Sequence, residues 1–292
     1  MRMNVFLAAC VVAVGCQLGG CATAPAVGTA QQVAEGAQKY TTVLGKVNKA
    51  ALDHSLNFTA DLLPNLPRTE NTLAEQTGLM QQRVQWLADI QQHLNLQAQY
   101  FSALQALAKG DSSNATEKAV KNLAGALGKF PSLPTVSSAT KNLVGGLAQH
   151  VAKASHGAHL AEVLERDADV VAQALLFNQQ VLEEQIRWIT FREELARQVD
   201  FRDKVQKPFV EGKKLPESWK KAWKAHIQGP ATVELLKQAR EASLRMQEAW
   251  LNVLRGHGSF NAMGGVLDEL QASVQTNSRA LAQADSLEQV QP

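Results

Sequence analysis

Apolar residues return every three or four positions over most of this chain, the period of an α-helix that buries one stripe. Leu160, Leu164, Ala168, Val171, Leu175, Leu182, Ile186 and Ile189 make one such stripe, with Glu162, Glu165, Arg166 and Asp169 set between them. Leu236, Ala239, Ser243, Met246, Trp250 and Val253 make a second. No alternating run of Val, Ile or Thr bounded by turn residues stands against them, so the pattern predicts an all-α fold. Long helices with one apolar face pack most simply as an elongated antiparallel bundle.

Helix-breaking residues divide the pattern. A first helix is predicted over 30–62, stopped by Pro64 and Pro67. Thr72-Leu73-Ala74-Glu75 has the form of a capping box near the start of a second helix, which runs to Lys109 and ends at Gly110. Leu79, Val84, Leu87, Leu94, Phe101 and Leu104 supply part of its buried face. Lys121-Asn122-Leu123-Ala124-Gly125-Ala126-Leu127 recurs as Lys141-Asn142-Leu143-Val144-Gly145-Gly146-Leu147, and Phe130-Pro131-Ser132-Leu133-Pro134 turns the chain between the copies. That predicts a Gly-rich helical hairpin over 115–152. The longest pattern covers 158–206, about 70 Å at a rise of ~1.5 Å per residue. Pro208, Gly212 and Pro216 break it, and helices over 231–255, opened by Pro230, and 260–288 follow.

Composition agrees. Aromatic residues are only 5% of the chain, and Ala, Leu and Gln, all good helix formers, are plentiful. The 29 Lys and Arg nearly balance the 27 Asp and Glu, which argues against a nucleic-acid binder.

The first residues follow a different rule. Behind Arg2 an apolar run from Val5 to Val14, diluted afterwards by Gly15 and Gln17, leads to Leu18-Gly19-Gly20-Cys21. It falls well short of the roughly 20 apolar residues that span a bilayer. The segment resembles the signal of bacterial lipoproteins, whose lipobox has Leu three before the Cys and a small residue one before it. Leu7-Ala8-Ala9-Cys10 leaves too short an apolar run ahead of it, and Ala13-Val14-Gly15-Cys16 offers Ala where Leu is favoured. The resemblance covers residues 1–21 and implies cleavage before Cys21, a thioether to diacylglycerol and further acylation, palmitate included. The Cys21 thiol would then be consumed, and no other cysteine follows it. Residues 1–20 are read as the signal peptide, 21–29 as a tether of small residues, and 30–289 as one helical domain. In Gram-negative lipoproteins Asp directly after the lipidated Cys favours the inner membrane. Here Ala22 follows, which implies the periplasmic face of the outer membrane.

Chemistry-bearing motifs are scarce. No P-loop, Gly-x-Ser-x-Gly, His-Glu-x-x-His or Gly-x-Gly-x-x-Gly occurs, and pairs such as Glu183-Glu184 lie on a charged helix face; no catalytic residue and no cofactor is assigned. His150, His156, His159 and Glu162 lack the Glu-x-x-His pairs of a di-metal bundle and are read as solvent-facing, with no metal. Trp219, Lys220, Lys221, Trp223 and Lys224 are the one concentrated feature. Two Trp four apart usually plug a bundle while nearby lysines stay wet, and that is the expectation; the alternative is a contact with anionic headgroups or an acidic partner.

The expected function is a lipid-anchored, non-enzymatic envelope protein that binds or scaffolds, its partners being the membrane and a further envelope protein, not nucleic acid. A membrane-active bundle resembling α-helical pore-forming toxins, working through 115–152, and an enzyme with no recognisable motif are the alternatives; close packing of the small residues is the expected use of that hairpin. Cys21→Ala is expected to abolish palmitate labelling and leave an uncleaved precursor on a gel. Labelling that persists contradicts the assignment of Cys21.

Overall fold

The computed structural model describes residues 24–111, 113–130, 157–212, 214–228, 231–254 and 265–276. Among the described residues there is no strand, and the chain is all-α. The helices are α1 (Ala24–Leu62), α2 (Glu70–Ala108), α3 (Asn114–Leu127), α4 (Gly157–Asp200), α5 (Lys207–Glu211), α6 (Trp219–Gln228), α7 (Ala231–Leu254) and α8 (265–276). Cys21, Pro230, the second Gly-rich copy, His150 and His156 lie outside the described residues.

The periodicity located the long helices, and the structure departs from it in four places. Residues 24–29, expected as an irregular tether, belong to α1, where Pro25 stands in the first turn and its missing N–H costs no helical bond. The cap of α2 is Thr69, upstream of the expected box: its Oγ1 accepts the Thr72 N–H at 3.1 Å. Leu79 and Val84 are 52% and 37% exposed, not buried. Val84 stands off the stripe of Leu87, Ile90, Leu94, Phe101 and Leu104, and the place in line with that stripe is taken by Arg83. Pro208 does not end its helix; a π-helical turn, Phe201–Gln206, carries the chain past it into α5. Gly110 does close α2, with φ of 106°, a conformation that glycine adopts freely.

The chain forms two compact units, each drawing on parts of α1, α2, α4 and α7. One comprises Met1–Thr42, His93–Phe177 and Leu244–Val266. In it Gln31 Nε2 donates to the Ala108 carbonyl at 2.9 Å and Gln38 Nε2 to that of Phe101 at 3.3 Å, so partners on α2 recede as α1 advances. Its core holds Tyr40, Tyr100, Phe101, Leu104, Leu164, Leu175 and Trp250, with Phe101 edge-on to Trp250 at 6.1 Å. Ala119, Val120, Leu123, Ala126 and Leu127 of α3 are buried too, so the first Gly-rich copy spends its apolar face on packing.

The other unit comprises Val43–Gln92, Asn178–Ser243 and Leu267–Pro292. Buried Asn48 donates to the Leu87 carbonyl at 2.9 Å and accepts from Gln185 Nε2 at 3.2 Å, tying α1, α2 and α4 through one amide. Arg83 lies between Trp86 at 4.4 Å and Trp188 at 4.3 Å, and Arg192 between Trp188 at 4.9 Å and Phe58 at 5.3 Å. Flat guanidinium groups sheathed by aromatic faces let a cation occupy an apolar stripe. Burial lowers the Arg83 pKa to about 10, with Glu184 opposing and Arg192 adding to the shift, so the group stays charged at neutral pH.

Asp167 of the first unit is buried at an electrostatic cost. Its carboxylate is only 1% exposed, held by Arg166 Nε at 2.6 Å and Nη2 at 3.0 Å. Burial raises its pKa, against the opposing pull of Arg166 and of the Tyr100 hydroxyl. A carboxyl whose folded pKa lies above its unfolded value costs stability once ionised, and that cost is relieved as pH falls through the folded pKa. Unfolding titrations of wild type and Asp167→Asn at pH 7 and at mildly acidic pH are therefore expected to show wild type gaining stability relative to the variant on acidification. A relative loss contradicts the account.

Candidate functional site

Everything that shapes the Trp and Lys cluster begins where α4 ends. After Asp200 the backbone widens into the π-helical turn, whose last bond runs from the Lys207 N–H to the Arg202 carbonyl. The wider turn leaves room for the ring of Pro208, which has no N–H to give and would crowd a tight α-turn. α5 then ends at Gly212, whose N–H meets the Pro208 carbonyl at 3.1 Å; a Cβ on Gly212 would collide with that same oxygen. After Pro216 the Ser218 carbonyl accepts the Ala222 N–H at 3.0 Å, and α6 begins.

Three contacts fasten α6 to the segment before it. Trp219 Nε1 donates to the Val205 carbonyl at 2.9 Å. The His226 ring stacks on Phe201 with centroids 4.3 Å apart. Arg197 Nη2 donates to the His226 carbonyl at 2.9 Å. All three hold one side of the helix; the neutral Trp219 bond contributes about 1 kcal/mol, and the bond from the charged Arg197 somewhat more.

With about 100° of rotation per residue, Ser218, Ala222 and His226 share the held side, Trp219 stands at its edge, and Trp223, Ile227, Lys220 and Lys224 follow round the other side. Trp219 is half-buried and Trp223 is 43% exposed, so neither plugs a core. Their rings instead form a ladder with Phe209, at 5.7 Å from Phe209 to Trp219 and 6.3 Å from Trp219 to Trp223. Lys220, Lys221 and Lys224 are exposed, as expected of lysines on this helix.

Apolar neighbours that the sequence reading left out complete the surface. Phe209, Val210 and Ile227 are 63%, 74% and 65% exposed. Ile227 carried a signal, four residues beyond Trp223; Phe209 and Val210 carried none, because their place depends on the turn that bypasses Pro208.

Charge distinguishes this helix from the turn beneath it. Arg202 and Lys207 both pair with Asp203, whose carboxyl they hold down at a pKa of about 2, and Lys204 pairs with Asp200 at 3.0 Å. Lys220, Lys221 and Lys224 form no ion pair among the described residues. Their charge is uncompensated.

Elsewhere, His159 Nδ1 lies 3.7 Å from Glu162, both exposed, and no metal-holding group of His, Cys, Asp or Glu occurs among the described residues. No described helix is long and apolar enough to cross a membrane. Neither a protein-family model, nor a curated protein, nor a solved structure matches this chain.

Proposed function

We propose that this is a cell-envelope lipoprotein, anchored through Cys21 at the periplasmic face of the outer membrane, whose helices bind or scaffold at the bilayer surface. In this reading the long helices of each unit run antiparallel as a bundle, and α6 with the Phe209 ladder is a second membrane contact beside the lipid. The observation that carries it is the exposure of Trp223, Ile227, Phe209 and Val210 next to unpaired Lys220 and Lys224. Indoles and long cationic side chains partition to the headgroup layer, one end apolar and the other wet. Lysines there are attracted by anionic lipid, at about 1 kcal/mol each. A single acyl chain holds a protein to a bilayer only marginally, so a second contact changes how it sits even where further chains are added.

The test uses the full chain carrying Cys21→Ser, so that no acyl chain holds it. It is expected to co-sediment with vesicles containing phosphatidylglycerol more than with pure phosphatidylcholine. Lys220→Glu with Lys224→Glu, or Trp223→Ser with Ile227→Ser, is expected to weaken binding about tenfold or more. Binding that neither pair changes refutes the membrane contact.

A further inference from the structure

Behind the exposed side of α6 lies a cleft of about 350 Å³ between that helix, the end of α4 and the π-helical turn. That volume is within the range of small-ligand sites. Its polar lining includes Arg197, Asp200, Lys204, Ser218, Lys221 and His226. Asp200 is the one carboxylate on this lining, and Lys204 already engages it at 3.0 Å. Arg197 forms a long ion pair with Glu194, which stands 3.7 Å from its Nη1 and off the lining, and Lys221 has no ion-pair partner among the described residues, so the lining itself carries excess positive charge.

We propose that this cleft binds a phosphate group, carried by a glycerophospholipid headgroup or by a soluble phosphate ester. Arg197 is set for the task. Its Nη2 is fixed on the His226 carbonyl, while its Nε–H is buried with no hydrogen-bond partner among the described residues. A buried guanidinium N–H without an acceptor is a rare and costly arrangement, and a phosphate oxygen is the acceptor its planar fork matches best. His226 Nδ1 is likewise buried and unpartnered, and the Ser218 hydroxyl lines the same space. Lys221, solvent-exposed yet part of the cleft lining beside Ser218, adds charge to the phosphate from the rim. The Phe201 ring, stacked on His226, gives a flat apolar wall that suits the glycerol carbons of an ester better than a bare ion. The phosphate site stands on the cleft alone; only its lipid-borne form rests on the membrane contact proposed above.

The test titrates the full chain, in non-ionic detergent at constant ionic strength, with inorganic phosphate and with glycerol phosphate by calorimetry. Saturable binding is expected, tighter for the ester, and about tenfold weaker in Lys221→Gln and in Arg197→Gln. Lys221 is exposed and makes no hydrogen bond or ion pair among the described residues, so its variant folds even if Arg197→Gln loosens α6. Trp223→Ser with Ile227→Ser is expected to leave phosphate binding unchanged, which separates the cleft from the membrane surface. Glycerol phosphate that displaces the Cys21→Ser chain from phosphatidylglycerol vesicles assigns the lipid source; binding without displacement assigns a soluble ester. No saturable binding of either probe at millimolar concentration, or binding indifferent to Lys221→Gln, overturns the proposal.

Discussion

The surface on which the functional reading rests depends on one backbone event, the π-helical turn Phe201–Gln206. Without the widened turn Pro208 would end the helix, as the sequence suggests, and α5 would not bring Phe209 against Trp219. The same turn supplies the Val205 carbonyl to the Trp219 indole and the Phe201 ring to His226. A defect in helical regularity thus sets which side of α6 is held and which is left to the surroundings. The exposed rings and lysines are consequences of that choice.

A second theme is the placing of polar groups where apolar stripes run. Asn48 and Gln185 spend buried amides on a link between three helices, which penalises any shifted register by leaving those groups unpaired. Arg83 occupies a stripe position under two indoles, and Asp167 is buried against Arg166. Uniform stripes of Ala, Leu and Val would let long helices slide past one another. These groups single out one alignment within each unit.

Much of this was legible in the sequence. The stripe from Leu160 to Ile189 is buried throughout except at half-buried Ile186, and that from Leu236 to Val253 is buried at every position. Periodicity records a face directly, and these helices have one. What failed depended on context. Thr69 and Thr72 both suit a cap, and only the backbone decides between them. Leu79 lies on the stripe but too few neighbours cover it. Pro208 reads as a stop because a π-helical turn has no compositional signature. At the site, the lysines and both Trp were visible as a cluster, whereas the outward turn of Trp223 and the partnership of Arg197 with α6 required the fold.

In the proposed reading the lipid on Cys21 and the ladder of α6 are two separate bilayer contacts, and the held side of α6 dictates the outward aim of Trp223. Bromine-labelled phospholipids quench indoles that touch the bilayer, and Trp223 is one of five tryptophans in the chain. With the Cys21→Ser chain on brominated phosphatidylglycerol vesicles, the account predicts quenched emission and loss of most of that quenching in Trp223→Phe. Emission that is unquenched, or quenched equally in Trp223→Phe, contradicts it.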